Sequence, residues 1–269
     1  MTSASTLPGM NDERIYCSEL AATDVMAGSV DPVDVWLLLE YRPAWAAKAI
    51  VDNDLQAPIR DWLDQQIANG AARGRKVRPQ FIRQPERDSV GVTLLVGDAS
   101  GLRRFDVTTY DELLAIDIDA AAPRVDVPLY FVCTNGRRDL CCARFGLPTY
   151  AALRAEVGDR VWQTTHVGGH RFAPNVLVLP QGALYGRVTA DAAPRFVAAI
   201  DRGLAFDWLR GVSFEAGAVQ AGACVRTSRS TASRARGACG VRSLARELRG
   251  WPRRRLRTGT GAHGPGQLR

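Results

Sequence analysis

Histidine and lysine are scarce in this chain of 269 residues, which has three His and two Lys (Lys48 and Lys76) beside 33 Arg. With abundant Ala, that imbalance reads as coding bias from a GC-rich genome and not as a function built on guanidinium groups. No stretch approaches the ~18–20 apolar residues that a membrane span needs. The first residues, MTSASTLPGMNDERIY, have neither the basic nor the apolar region of a secretory signal, so a soluble cytoplasmic protein is expected. No Gly-x-Gly-x-x-Gly follows a strand, so a flavin or nicotinamide reductase would have to be a separate protein. No Cys-x-x-Cys is present, which argues against thioredoxin-type thiol chemistry. No pair of carboxylates stands out as the acid and nucleophile of a glycosidase. Without a secretory segment, the six Cys are not expected to form a disulfide framework; clustered Cys in such a chain point to metal or redox work.

What is present is ordinary globular composition, 46% hydrophobic and 23% charged. The charge is unevenly placed. Residues 224–269 hold twelve Arg and one acid (Glu247), a local +11 within a net of +7, which leaves residues 1–223 at −4. The folded part is therefore mildly acidic and carries no sign of the basic patch that nucleic-acid binding needs. After Gln220 the text turns to Arg, Ser, Gly and Ala, a composition that rarely folds. We expect a disordered Arg-rich tail over residues 221–269, limited to nonspecific contact with nucleic acid. The abrupt change also suggests an altered reading frame.

Residues 1–12 are expected to be disordered as well. Two α/β units follow, over residues 13–120 and 126–220. In the first, Val35–Leu39 reads as a buried strand, Ala44–Asp52 and Ala57–Ala68 as helices, Lys76–Arg83 and Val90–Val96 as strands, and Thr108–Ile116 as a capped helix. In the second, strands are expected at Val127–Val132, Arg160–Thr165, Val176–Leu179 and Ala183–Thr189. Helices are expected at Ala143–Glu156, with a break at Pro148, and at Asp191–Arg202. Strand–helix–strand, then a hairpin and a helix, is the thioredoxin-like order. The chain thus reads as two such units in tandem, the first without Cys or His at its active end.

The chemistry concentrates in two segments. In Cys133-Thr-Asn-Gly-Arg-Arg-Asp139-Leu-Cys141-Cys142, Cys133 closes a strand and Cys142 opens a helix, whose start favours a thiolate. In His166-Val-Gly-Gly-His170, two imidazoles flank glycines that allow close backbone approach. The resulting Cys-x8-Cys-x23-His-x3-His is too widely spaced for a zinc-finger knuckle. It suits a larger object such as a two-iron cluster with His replacing Cys on one iron. A structural zinc site and a metal-free reading stay open on spacing alone, as does a thiol–disulfide oxidoreductase using Cys133 with Cys141 or Cys142. Cys17, Cys224 and Cys239 fall outside any spacing and read as buried or spare thiols.

CTNGRRDLCCARFG followed by VWQTTHVGGHRFAPNVLVLPQGALYGRV resembles the sucrase/ferredoxin-like family, specifically over about Pro128–Val188 and more loosely over Trp36–Ile116 and Asp207–Gln220. The Arg-rich tail departs from it. The resemblance implies a thioredoxin-like ferredoxin in which Cys133, Cys142, His166 and His170 ligate a 2Fe–2S cluster. It implies that Cys141 neighbours the cluster without binding it, and that the protein exchanges electrons with a separate donor or acceptor protein. In the same frame Arg137, Arg138 and Asp139 would order the Cys loop and Trp162 would shield the site, while Arg171 and Arg187 would balance charge or dock a partner.

Overall fold

The computed structural model describes residues 15–88 and 90–215. The expectations of disorder for residues 1–12 and 221–269 concern residues outside those described. A short helix α1 (Cys17–Leu20) leads to strand β1 (Val35–Glu40), helix α2 (Ala57–Ala72) and strands β2 (Val77–Arg83), β3 (Val92–Asp98) and β4 (Gly101–Val107). The second half comprises β5 (Leu129–Cys133), α3 (Leu140–Val157), β6 (Val161–Thr164), β7 (Val176–Leu179), β8 (Ala183–Tyr185), α4 (Ala193–Asp201) and β9 (Leu209–Val212). Among the described residues no helix is long and apolar enough to cross a membrane.

All the strands join one sheet, ordered β4-β3-β1-β2-β6-β5-β7-β8-β9. Parallel neighbours need a long crossover, and helices supply it: α2 between β1 and β2, α3 between β5 and β6. β3 then returns antiparallel beside β1 with β4 beyond it, as β7 returns beside β5 with β8 beyond. Each half therefore repeats one connectivity, and the halves meet antiparallel where Ile82 faces Thr164 and Arg83 faces Gln163.

The sheet curls on itself. Val35, Leu37 and Leu39 of β1 pack against Ile59 and Leu63 of α2. Tyr130 and Val132 of β5 pack against Tyr150, Leu153 and Phe196 of α3 and α4. The alternate side chains Trp36, Leu38, Phe131 and Cys133 turn inward to one shared core with Trp162. β3 and β7 are distant in the sheet order, yet a Cβ on Gly97 would lie 3.0 Å from a methyl of Leu179. Covered on both faces, β1 is buried at all six positions, which is why it reads as a continuous apolar run.

Several local expectations need correction. Residues 44–52 form turns, not a helix. Asn53 Nδ2 donates to the carbonyls of Ala49 and Ile50 at 3.1 and 3.0 Å, a side-chain contact that competes with helical bonding in a segment too short to propagate. The helix expected at 108–116 is a 3-10 turn, Tyr110–Ala115. α3 continues through Pro148 and starts at Leu140, so Cys142 is its third residue and not its first. Strand β4 carries no strand signal in the sequence because only Leu102 of its seven residues is buried, and β9 carries none because it is built around Arg210.

Candidate metal centre

The parallel neighbours β5 and β6, in the middle of the sheet, finish at the same end of it, and the site lies beyond their C-termini. Cys133 is the last residue of β5 and is buried. The chain then turns through Asn135, whose side-chain oxygen accepts from Arg138 N at 3.3 Å while its Nδ2 donates to Ala46 O at 3.0 Å. Asp139 caps α3, its Oδ1 accepting from Cys141 N at 2.9 Å. Asp139 thus orders the loop, whereas Arg137 and Arg138 are exposed. α3 comes back tightly against β5 because Gly146 has no side chain; a Cβ there would sit 2.2 Å from the Cys133 carbonyl oxygen. One helical turn before Gly146, Cys142 is thereby pressed towards Cys133.

β6 delivers the histidines. His166 Nδ1 lies 3.5 Å from Cys142 Sγ and 3.8 Å from Cys133 Sγ. These three donor atoms lie within 4.8 Å of one another. Metal–sulfur bonds near 2.3 Å and metal–nitrogen bonds near 2.0 Å put neighbouring tetrahedral donors roughly 3.5 Å apart, so the trio can share one ion. The His166 and His170 rings are 6.1 Å apart. His170 turns to a second group: its Nδ1 is 2.9 Å from Asp139 Oδ2 and 3.0 Å from Cys17 Sγ. An imidazole whose Nδ1–H rests on a carboxylate keeps Nε2 for a metal, a common outer-shell arrangement.

The His loop is held from the other side by a buried cation. Arg210 of β9 is 2% exposed and donates to Gly168 O and to Asn175 Oδ1, each at 2.9 Å, and to the side chain and carbonyl of Ser29. Gly169 has φ +70, and a Cβ on it would strike that guanidinium at 2.4 Å. Burial, with Arg171 and Arg78 adding, lowers the Arg210 pKa to about 10. Trp162 and Phe172 are both buried, the first in the same core as Cys133 and Cys142. Arg171 and Arg187 stack on the Phe172 ring.

The thiols differ electrostatically. The hydrogen bond with Cys142 holds Cys133 well below the ordinary thiol range; His166 helps and burial opposes. The same bond, with burial, pushes Cys142 up. Burial pushes Cys17 up to about 12, aided by its contact with Cys141 and by Asp139.

Of the four residues expected as ligands, Cys133, Cys142 and His166 come together, while His170 contacts Asp139 and Cys17. Sequence reasoning missed Cys17, which lies 124 positions from Cys141 and meets it at 3.0 Å, Sγ to Sγ. It also missed Arg210, where no local pattern gives a signal. Among known proteins, a family model described as sucrase/ferredoxin-like matches residues 26–211. No curated protein and no solved structure matches the chain.

Proposed function

The chain belongs to the sucrase/ferredoxin-like family, and from that premise we propose that it is an electron-transfer protein carrying a 2Fe–2S cluster on Cys133, Cys142, His166 and His170. In this reading the second half is a thioredoxin-like ferredoxin and the first a thioredoxin-like unit in which Glu40, paired with Arg42 and Arg87, stands where Cys133 stands in the second. The observation that carries it is the convergence of two thiols on one imidazole, 3.5 and 3.8 Å from it, where β5 ends, α3 begins and the chain leaves β6. Thiolates and imidazoles are the donors such a cluster takes, and when bound it supplies one-electron transfer. Cys133 and Cys142 would hold one iron and the two His the other. Asp139 would fix the His170 proton at Nδ1, Arg210 would hold the His loop, and Trp162 with Phe131 would keep water from the thiolates. We place the protein in the cytoplasm. The partner is a separate donor or acceptor protein, which would dock where Arg137, Arg138 and half-exposed Leu140 rim the Cys loop.

One observation favours a second reading. The compactness of Cys133, Cys142 and His166 suits a single ion such as zinc as well as an iron pair.

Histidine ligation has a pH signature. A ligating imidazole keeps one N–H, which is more acidic beside the oxidised centre than beside the reduced one. With a cluster bound, electron uptake would be coupled to proton uptake at the ligating imidazole, and the potential would fall as pH rises, by at most about 59 mV per pH unit. Redox titrations at several pH values should show this slope, and His166→Cys or His170→Cys should lower the potential and flatten it. A wild-type potential that stays flat from about pH 6 to 10 removes both histidines from the ligand set.

A further inference from the structure

Two thiols near the centre take no part in this reading. Cys141 follows the capping Asp139 at the start of α3 and is 2% exposed, and its sulfur meets not the metal trio but Cys17. The 3.0 Å between the two sulfurs leaves about 1 Å to close to a disulfide, whose S–S length is near 2.04 Å. The N-terminal segment is held in place for that approach. Tyr16 packs edge-on against Phe145 of α3 with ring centroids 5.4 Å apart. Arg187 donates to the carbonyls of Ala21 and Asp24, and Gly28 N donates to Arg210 O at 2.8 Å. The sulfurs also differ in access, Cys17 being half-buried and Cys141 buried.

We propose that Cys17 and Cys141 are a redox-active pair that closes to a disulfide by exchange with a small-molecule disulfide such as oxidised glutathione. Cys17, the more accessible of the two sulfurs, gives up its proton and attacks one glutathione sulfur, slowly because burial keeps its thiolate scarce, and the S–S bond of the glutathione breaks. One glutathione leaves as a thiol, taking up the proton that Cys17 gives up. Cys141 then attacks Cys17 of the mixed disulfide, and the second glutathione leaves with the Cys141 proton. Two cysteine thiols are oxidised and one glutathione disulfide is reduced to two thiols. The product ties the N-terminal segment to the first turn of α3, one residue from Cys142. It is a dithiol couple separate from the metal trio and does not depend on which metal that trio holds.

The test uses the full chain, incubated at graded ratios of oxidised to reduced glutathione, quenched with iodoacetamide, digested and mapped by mass spectrometry. The expected product is a Cys17 peptide joined to a Cys141 peptide, lighter by two hydrogens than the reduced pair and released by dithiothreitol. In Cys17→Ser that product is absent and Cys141 is recovered alkylated or as its glutathione adduct. The wild-type map decides even if the variant folds poorly. Recovery of Cys17 and Cys141 both alkylated under oxidising ratios overturns the proposal, as does Cys141 joined to Cys133 or Cys142. Zinc retained by the wild type and lost from Cys17→Ser also overturns it, because the pair would then be a metal site.

Discussion

Cys142→Ala and Cys133→Ala are expected to abolish the proposed metal binding, whereas Cys141→Ala keeps it. The three neighbouring thiols separate because of helical geometry. α3 begins at Leu140, so Cys141 and Cys142 project about 100° apart around its axis. Cys142 faces Cys133 and His166, and Cys141 faces Cys17. Removing Cys133 or Cys142 takes a thiolate from the centre. Loss of an outer-shell partner alone typically costs 10- to 100-fold in affinity, so a lost ligand should cost at least ~100-fold. The fold should survive, since trimming one buried sulfur costs only about 1–2 kcal/mol. Metal content per chain after desalting, alongside circular dichroism, reads both effects. Loss of metal from Cys141→Ala with retention in Cys142→Ala would shift the ligand assignment by one residue.

Gly146→Ala should be strongly damaging for so small a substitution. On helix propensity alone, Ala would stabilise α3 by about 1 kcal/mol. The new Cβ would lie 2.2 Å from the Cys133 carbonyl oxygen, which is backbone and has no rotamer to yield. Helix and strand must separate, and overpacking of that kind costs about 1–3 kcal/mol or more. We expect the clash to win, with a net loss of about 2 kcal/mol and a fall in metal content as Cys142 moves from Cys133. Gly203→Ala is the control. Gly203 has φ +69 and open space around it, so only left-handed backbone strain of about 1–2 kcal/mol is expected, with metal content unchanged. Urea unfolding with metal analysis on both variants separates the two mechanisms. Equal metal loss, or an unchanged Gly146→Ala protein, would mean that the close approach of α3 does not set the site.

The strands that carry the site were readable because their signals are local. Leu129–Cys133 and Val176–Leu179 are short apolar runs bounded by turn residues, and the Cys and His motifs sit at their ends. The repeat was readable only as an order of elements, because packing requires apolar residues of suitable size and not particular identities. Polar or short elements escaped: β4 shows the core little more than Leu102, and β9 is built around a buried arginine. Cys17 could not be placed, since its meeting with Cys141 is set by the fold across 124 positions and not by spacing. The turn at 44–52 reads as a helix in the sequence because Ala-rich text favours one unless side chains such as Asn53 bond its carbonyls first.

An iron–sulfur cluster held by Cys133, Cys142, His166 and His170 is the assignment proposed above. Its most direct test is a visible absorption spectrum of the full chain purified without air, with iron, acid-labile sulfide and zinc counted on the same sample. The expected result is a coloured protein that bleaches on reduction, with iron and sulfide in equal amounts, about two of each per chain. A colourless protein holding one zinc per chain, or no metal at all, would overturn the cluster assignment.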